Sequence, residues 1–144
     1  MTRYLLDVNV LIALIDPAHV QHDRAHNWFA ALGSQAWATC PLTENGVLRI
    51  VGSARYPNSP GTPAAVAPLL LAFCSLGGHE FWPDDVSLLD LHRIDGARLL
   101  DSGQITDTYL LALASAHGGQ LATLDRRLVT GAVSTGSAAL HPIA

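Results

Sequence analysis

Apolar residues in this chain fall into two kinds of block. Short runs bounded by polar residues, glycine or proline read as strands: Tyr4 to Asp7, Ala36 to Cys40, Glu80 to Trp82 and Gln120 to Thr123, with Ala138 to His141 as a candidate fifth. The other blocks repeat at three- and four-residue spacing and read as helices. Val10 to Ile15 stops before Pro17. Gln21 to Leu32 carries Ala25, Trp28, Phe29 and Leu32 on one face and ends at Gly33. Leu42 to Val51 turns Val47, Leu48 and Val51 inward. Ala64 to Leu76 is apolar almost throughout and is closed by Gly77-Gly78, and Thr106 to His117 ends at Gly118-Gly119. Ser87 to Arg98 shows a helical period in two short pieces. Ser53 to Pro63, with three prolines, reads as a surface loop.

Short strands separated by helices predict parallel pairing. The expected class is α/β, with one open parallel sheet of four to five strands and helices on both faces. At 144 residues the expected organisation is a single domain over 1–144. A hydrophobic content of 49% against 14% charged residues excludes a disordered chain. The longest strongly apolar run, Ala67 to Cys74, is too short to span a bilayer, and the opening residues lack the shape of a signal peptide. A cytoplasmic location is the corresponding expectation. Cys40 and Cys74 both sit in apolar runs and read as buried thiols.

All eight basic residues are arginine. The lack of lysine excludes a P-loop, a protein kinase and Schiff-base chemistry. A net charge of −4 argues against broad nonspecific binding to nucleic acid, but not against a nuclease whose acidic centre holds a divalent metal.

Ligands of open α/β sheets bind outside the carboxyl ends of the strands. Four acids are expected at that edge. Asp7 closes the first strand and Glu44 starts the helix after the second. Asp107 starts the last long helix, and Asp125 follows the fourth strand. Hard divalent cations take oxygen ligands of this kind and retain waters. Each acid also has a plainer explanation. Glu44 and Asp107 suit the first turn of a helix through the macrodipole, with Thr106 as a cap. Asp125, before Arg126-Arg127, suits a turn or a surface ion pair. Mutual repulsion among four clustered carboxylates favours a shared cation.

Tyr4-Leu5-Leu6-Asp7-Val8-Asn9-Val10-Leu11-Ile12-Ala13-Leu14 resembles the opening motif of PIN domains, and more narrowly that of the VapC-type toxins of bacterial toxin–antitoxin pairs. Leu42-Thr43-Glu44-Asn45-Gly46-Val47-Leu48-Arg49 resembles the second acidic motif. Gln104-Ile105-Thr106-Asp107-Thr108-Tyr109-Leu110-Leu111-Ala112-Leu113-Ala114 resembles the third, and Leu121-Ala122-Thr123-Leu124-Asp125-Arg126 the fourth. His22, Ala25 and Trp28 look like that family's second helix. Val8 departs from the threonine or serine that many relatives carry.

The resemblance implies a metal-dependent endoribonuclease held inactive by an antitoxin, usually dimeric, with Mg²⁺ as cofactor and Mn²⁺ as a substitute. It carries the catalytic acids over to Asp7, Glu44, Asp107 and Asp125. Asp7 and Asp107 are expected as the direct ligands, with Glu44 and Asp125 acting through water or at a second metal. Thr106 and Thr123 are candidate supporting hydroxyls. Asn9 either supports Asp7 or phosphate, or caps a helix starting at Val10. Arg126 and Arg127 are candidate RNA contacts. An antitoxin basic residue reaching Asp7, Glu44 and Asp107 from a groove between the early helices, Val10 to Ile15 and Gln21 to Leu32, and the helix from Leu42 to Val51 would compete with the metal. Trp28, Phe29 and Trp37 read as core. His19, His22 and His26 lack a partner for a zinc site and read as surface or helix-face residues. Two alternatives remain at this point: a noncatalytic RNA- or protein-binding relative, and a phosphotransfer domain with its aspartate at the end of strand one, which the lack of lysine disfavours.

Overall fold

The computed structural model describes residues 1–144. Its five strands are β1 (Tyr4–Leu6), β2 (Trp37–Thr39), β3 (His79–Phe81), β4 (Gln120–Thr123) and β5 (Leu140–Pro142). They form one sheet in the order β3-β2-β1-β4-β5, and every pairing is parallel. The helices are α1 (Val8–Ile15), α2 (His22–Ala31), α3 (Pro41–Val51), α4 (Pro63–Cys74) and α5 (Ile105–Ala116).

Strand alternation divides the core in two. Tyr4, Leu6, Trp37 and Ala122 face one side, where they pack with residues of α1, α2, α3 and α4. Leu5, Ala38 and Leu121 face the other, against α5 and the buried Trp82, Ile94 and Val133. Trp37 is wholly buried, with the ring of Phe29 edge-on at 5.3 Å. Trp28 packs edge-on against Tyr4 and donates its indole N–H to His141 Nε2 at 2.9 Å. The three aromatic rings therefore serve the core, as their helical and strand spacing implies.

Three local expectations change. The first helix begins at Val8, because Asp7 takes the N-cap position with its side chain on the Val8 N–H. Asn9 is accordingly inside the first turn and is not the cap. Ser87 to Arg98 holds turns and a single 3₁₀ turn at Gly96–Arg98, where helical pieces are expected. Ser87 Oγ accepts from the Leu89 N–H and Asp90 Oδ1 from the His92 N–H, each at 3.0 Å. These side-chain bonds divert the backbone from helix, and Leu89 and Leu91 stay exposed. Thr106 lies within the first turn of α5, whose cap position is Gln104.

The loop from Ser53 to Pro63 is tied down at Asp16. Asp16 Oδ2 accepts hydrogen bonds from Tyr56 and, at 3.0 Å, from Asn58 Nδ2. His22 Nδ1 lies 2.7 Å from the Ala13 carbonyl, and its ring stacks on His26 at 5.7 Å. His19 Nδ1 accepts from the Gln21 N–H. Cys40 is buried and Cys74 half-buried, both as free thiols.

Candidate active site

The strand order reverses at β1, which pairs with β2 on one side and β4 on the other. The crevice at such a switch point is where an open parallel sheet exposes its carboxyl ends to a ligand. Asp7 follows β1 directly, and Asp125 follows β4. Asp7 is only 6% exposed. Its Oδ1 accepts the Val8 N–H at 2.7 Å, and its Oδ2 accepts the Thr123 hydroxyl at 2.8 Å.

Thr123 is the hub of this corner. Besides donating to Asp7, its Oγ1 accepts from Asn9 Nδ2 at 3.2 Å and from the Asp125 N–H at 3.1 Å. Asn9 Oδ1 accepts the Leu124 N–H at 3.1 Å. Asn9 therefore reaches Asp7 through Thr123 and locks the start of α1 onto the end of β4. Asp107 stands in the first turn of α5. With Thr106 it forms one wall of a cleft of about 400 Å³ whose floor is Asp7.

Burial pushes the Asp7 carboxyl from 3.8 up to about 6, and the negative charges of Asp107 and Asp125 push the same way. The hydrogen bonds from Thr123 and Val8 oppose that rise. Asp107 is also raised, first by burial and then by Asp125. Three aspartates thus feel one another at one edge of the sheet, and a cation among them would relieve both burial cost and repulsion. Their donors are all oxygens, the set that suits a hard divalent ion. Asp7 and Asp107 line the cleft, and Asp125 acts on both through its charge; the oxygens of the three do not all lie within 4.8 Å of one another.

The sequence model of the PIN domain matches residues 4–132. The chain belongs to the PIN-domain family. Among curated PIN-domain relatives, it is 46% identical to ribonuclease VapC44 of Mycobacterium tuberculosis over 131 residues, covering 91% of this chain and 92% of the relative. It is 44% identical to ribonuclease VapC39 of the same organism over 128 residues, covering 89% and 92%. Two solved structures share the PIN fold at low identity. Mycobacterium tuberculosis VapC20, described as a sarcin-ricin loop cleaving toxin, aligns with a TM-score of 0.57 and 15% identity over 94% of each chain. VapBC2 from Rickettsia felis, bound to a DNA fragment from its promoter, aligns with a TM-score of 0.53 and 16% identity over 85% of this chain and 88% of that one.

One of the four acids expected at this PIN-domain edge lies elsewhere. Glu44 is in the first turn of α3, as anticipated, but the cleft is walled by Leu42, Gly46, Arg49 and Ile50 of that helix. At 3.6 residues per turn Glu44 is rotated about 200° from Leu42. Its Oε2 instead accepts the Thr39 hydroxyl at 2.6 Å. The rotation has a packing cause. Gly46 faces α1 so closely that an added Cβ would lie 2.8 Å from Val8 Cγ2. With that contact set, Glu44 points toward α4, where it borders a separate apolar cleft of about 510 Å³. That cleft is larger, but the clustered aspartates are in the smaller one.

Arg49 was not singled out by the sequence, yet it is exposed and lines the aspartate cleft opposite Asp7 and Asp107. Its signal was present: Arg49 follows Leu42 by seven residues, two helical turns, on the same face. Arg126 and Arg127 are exposed beside Asp125, whose Oδ1 accepts the Arg127 N–H at 2.9 Å. Neither forms a salt bridge within the chain.

Proposed function

We propose that the chain, acting as one unit over residues 1–144, is the endoribonuclease toxin of a toxin–antitoxin pair and hydrolyses RNA phosphodiester bonds at the aspartate cleft. The observation that carries this reading is the juxtaposition of Asp7, Asp107 and Asp125 at the sheet's switch point. The names of the relatives, ribonuclease VapC44 and ribonuclease VapC39, support the reaction type.

Asp7 and Asp107 hold the divalent ion, Mg²⁺ or Mn²⁺ in its place, and Asp125 acts through water. Held by Asp7 and Asp107, the ion would supply charge neutralisation at the scissile phosphate and a more acidic water. Thr123 keeps Asp7 in one orientation, with Asn9 holding Thr123 in turn, so the carboxylate needs no rearrangement when substrate arrives. Thr106 offers a hydroxyl on the cleft wall. Arg49, Arg126 and Arg127 supply cations for RNA phosphates on an otherwise acidic protein. Glu44 is left out of this set because of its placement.

The antitoxin partner is supported by the VapBC2 likeness. The groove is expected among α1, α2 and α3; the cleft beside the aspartates is lined by Val8, Asn9 and Ile12 of α1 and by Leu42, Gly46 and Ile50 of α3, with no residue of α2. A basic antitoxin residue there meets Asp7 and Asp107, and not Glu44. Homodimerisation is supported by α4, where Leu69 and Leu71 are exposed. No helix is long and apolar enough to cross a membrane, and a cytoplasmic site of action suits an RNA substrate.

The test is cleavage of total RNA by purified Asp7→Asn protein. Loss of cleavage with retained circular dichroism supports the reading. Full cleavage overturns it and favours a noncatalytic RNA- or protein-binding role for these residues.

A further inference from the structure

Away from the aspartate cleft, three side chains of unlike chemistry meet around one hydroxyl. Glu44 comes from the first turn of α3, Cys74 is the last residue of α4, and His79 is the first of β3. A carboxylate oxygen, the Cys74 Sγ and a ring nitrogen of His79 all lie within 4.8 Å of one another. The wholly buried Thr39 supports them: its Oγ1 donates to Glu44 Oε2 at 2.6 Å and lies 2.8 Å from His79 Nε2. The hydroxyl has one proton, which goes to the carboxylate, so in this contact His79 donates its Nε2–H. Glu44 Oε1 is left without a hydrogen bond.

We propose that Glu44, Cys74 and His79 form a Zn²⁺ site, distinct from the aspartate cleft and independent of the nuclease reading. A thiolate, an imidazole and one carboxylate are the mixed donor set zinc takes, and a thiol with an imidazole is a poor set for Mg²⁺. At zinc's usual bond lengths the ligand atoms of a tetrahedral site stand about 3.5 Å apart. The present spacing, within 4.8 Å, is close to that value. Binding displaces the Cys74 thiol proton to solvent. The His79 Nε2 proton moves to Nδ1, so the imidazole stays neutral. Glu44 binds through Oε1 while Thr39 keeps its bond to Oε2 and orients the carboxylate, the role outer hydrogen bonds play at metal sites. Burial pulls His79 below its ordinary value, which favours the neutral ring a metal needs. The fourth position stays open to water.

The ion would join α3, the end of α4 and the edge strand β3 across the turn at 75–78. Glu44 and Cys74 also line the apolar cleft with Leu48, Pro68 and Leu71, so the ion would form that cleft's polar end.

Co²⁺ is the probe, because a cobalt–thiolate bond gives a charge-transfer absorption that carboxylate ligands cannot produce. Wild-type protein titrated with Co²⁺ at neutral pH is expected to develop this band to one equivalent per chain, and one equivalent of Zn²⁺ is expected to abolish it. Cys74→Ser should remove the band, and His79→Gln should weaken Co²⁺ binding about tenfold or more. Cys40→Ser should leave it unchanged, and so should Asp7→Asn, which perturbs only the other cleft. Absence of the band in the wild type overturns the proposal whether or not the variants fold. A band that persists in Cys74→Ser also overturns it.

Discussion

Removing the negative charge of Asp7 should stabilise the metal-free protein at neutral pH even as it abolishes cleavage. The carboxyl is held near 6 where its ordinary value is 3.8, with burial as the largest cause. A group that binds its proton more tightly when folded stabilises the fold fully below 3.8, and that contribution is lost as pH rises through about 6. At 1.36 kcal/mol per pH unit, the interval from 3.8 to about 6 corresponds to about 3 kcal/mol. Asn cannot ionise, so Asp7→Asn should escape this loss. It cannot keep both of Asp7's accepted bonds, from Val8 N–H and Thr123 Oγ1, because its amide offers one acceptor oxygen. That mismatch costs about 1–2 kcal/mol. The net expected gain at pH 7.5 is therefore about 1–2 kcal/mol. The assay is denaturant unfolding in a chelator at pH 5 and pH 7.5, repeated with Mg²⁺. The wild type should lose stability between the two pH values and regain it when Mg²⁺ binds the ionised carboxylates. The variant should show neither change to the same extent. Equal pH dependence in the two proteins, or a variant less stable than wild type at pH 7.5, would falsify the assignment of Asp7 as a buried, repelled carboxylate.

Other outcomes follow from the same corner of the molecule. Thr123→Val removes the donor to Asp7 and the acceptor for Asn9 and the Asp125 N–H; stability should fall by about 1–3 kcal/mol, and metal-dependent cleavage by about 10–100-fold, read by unfolding and by a fluorogenic RNA. Arg49→Ala should leave the melting temperature unchanged but weaken RNA binding, with the slope of log K against log salt shallower by about 0.7; an unchanged slope in a filter-binding titration removes Arg49 from the RNA surface. Gly46→Ala places a Cβ 2.8 Å from Val8 Cγ2. Overpacking of about 1–3 kcal/mol should exceed the helix gain of about 1 kcal/mol, and adding Val8→Ala should recover the loss in a double-mutant cycle.

The order of strands and helices was legible because each element's pattern is local. Tyr4 to Leu6 and Gln120 to Thr123 carry strand signals in themselves, and Gly33, Gly77-Gly78 and Gly118-Gly119 mark the ends of helical blocks wherever the rest of the chain goes. Asp7 was legible for the same reason: an acid ending an apolar strand has only the sheet's rim to occupy. The stretch from Ser87 to Arg98 misled because a helical period does not reveal that Ser87 and Asp90 bond their own backbone two residues on. Helix rotation lay beyond the pattern altogether. Glu44 and Arg49 both belong to α3, and their spacing says they face apart, but not which one meets Asp7. That was decided by the close approach of Gly46 to Val8, a contact between residues 38 positions apart in the sequence. The same rotation that takes Glu44 from the aspartates brings it to Cys74 and His79. Periodicity constrains neighbours along one element, whereas a site assembled from several elements depends on how their faces pack, and that information resides in no single segment.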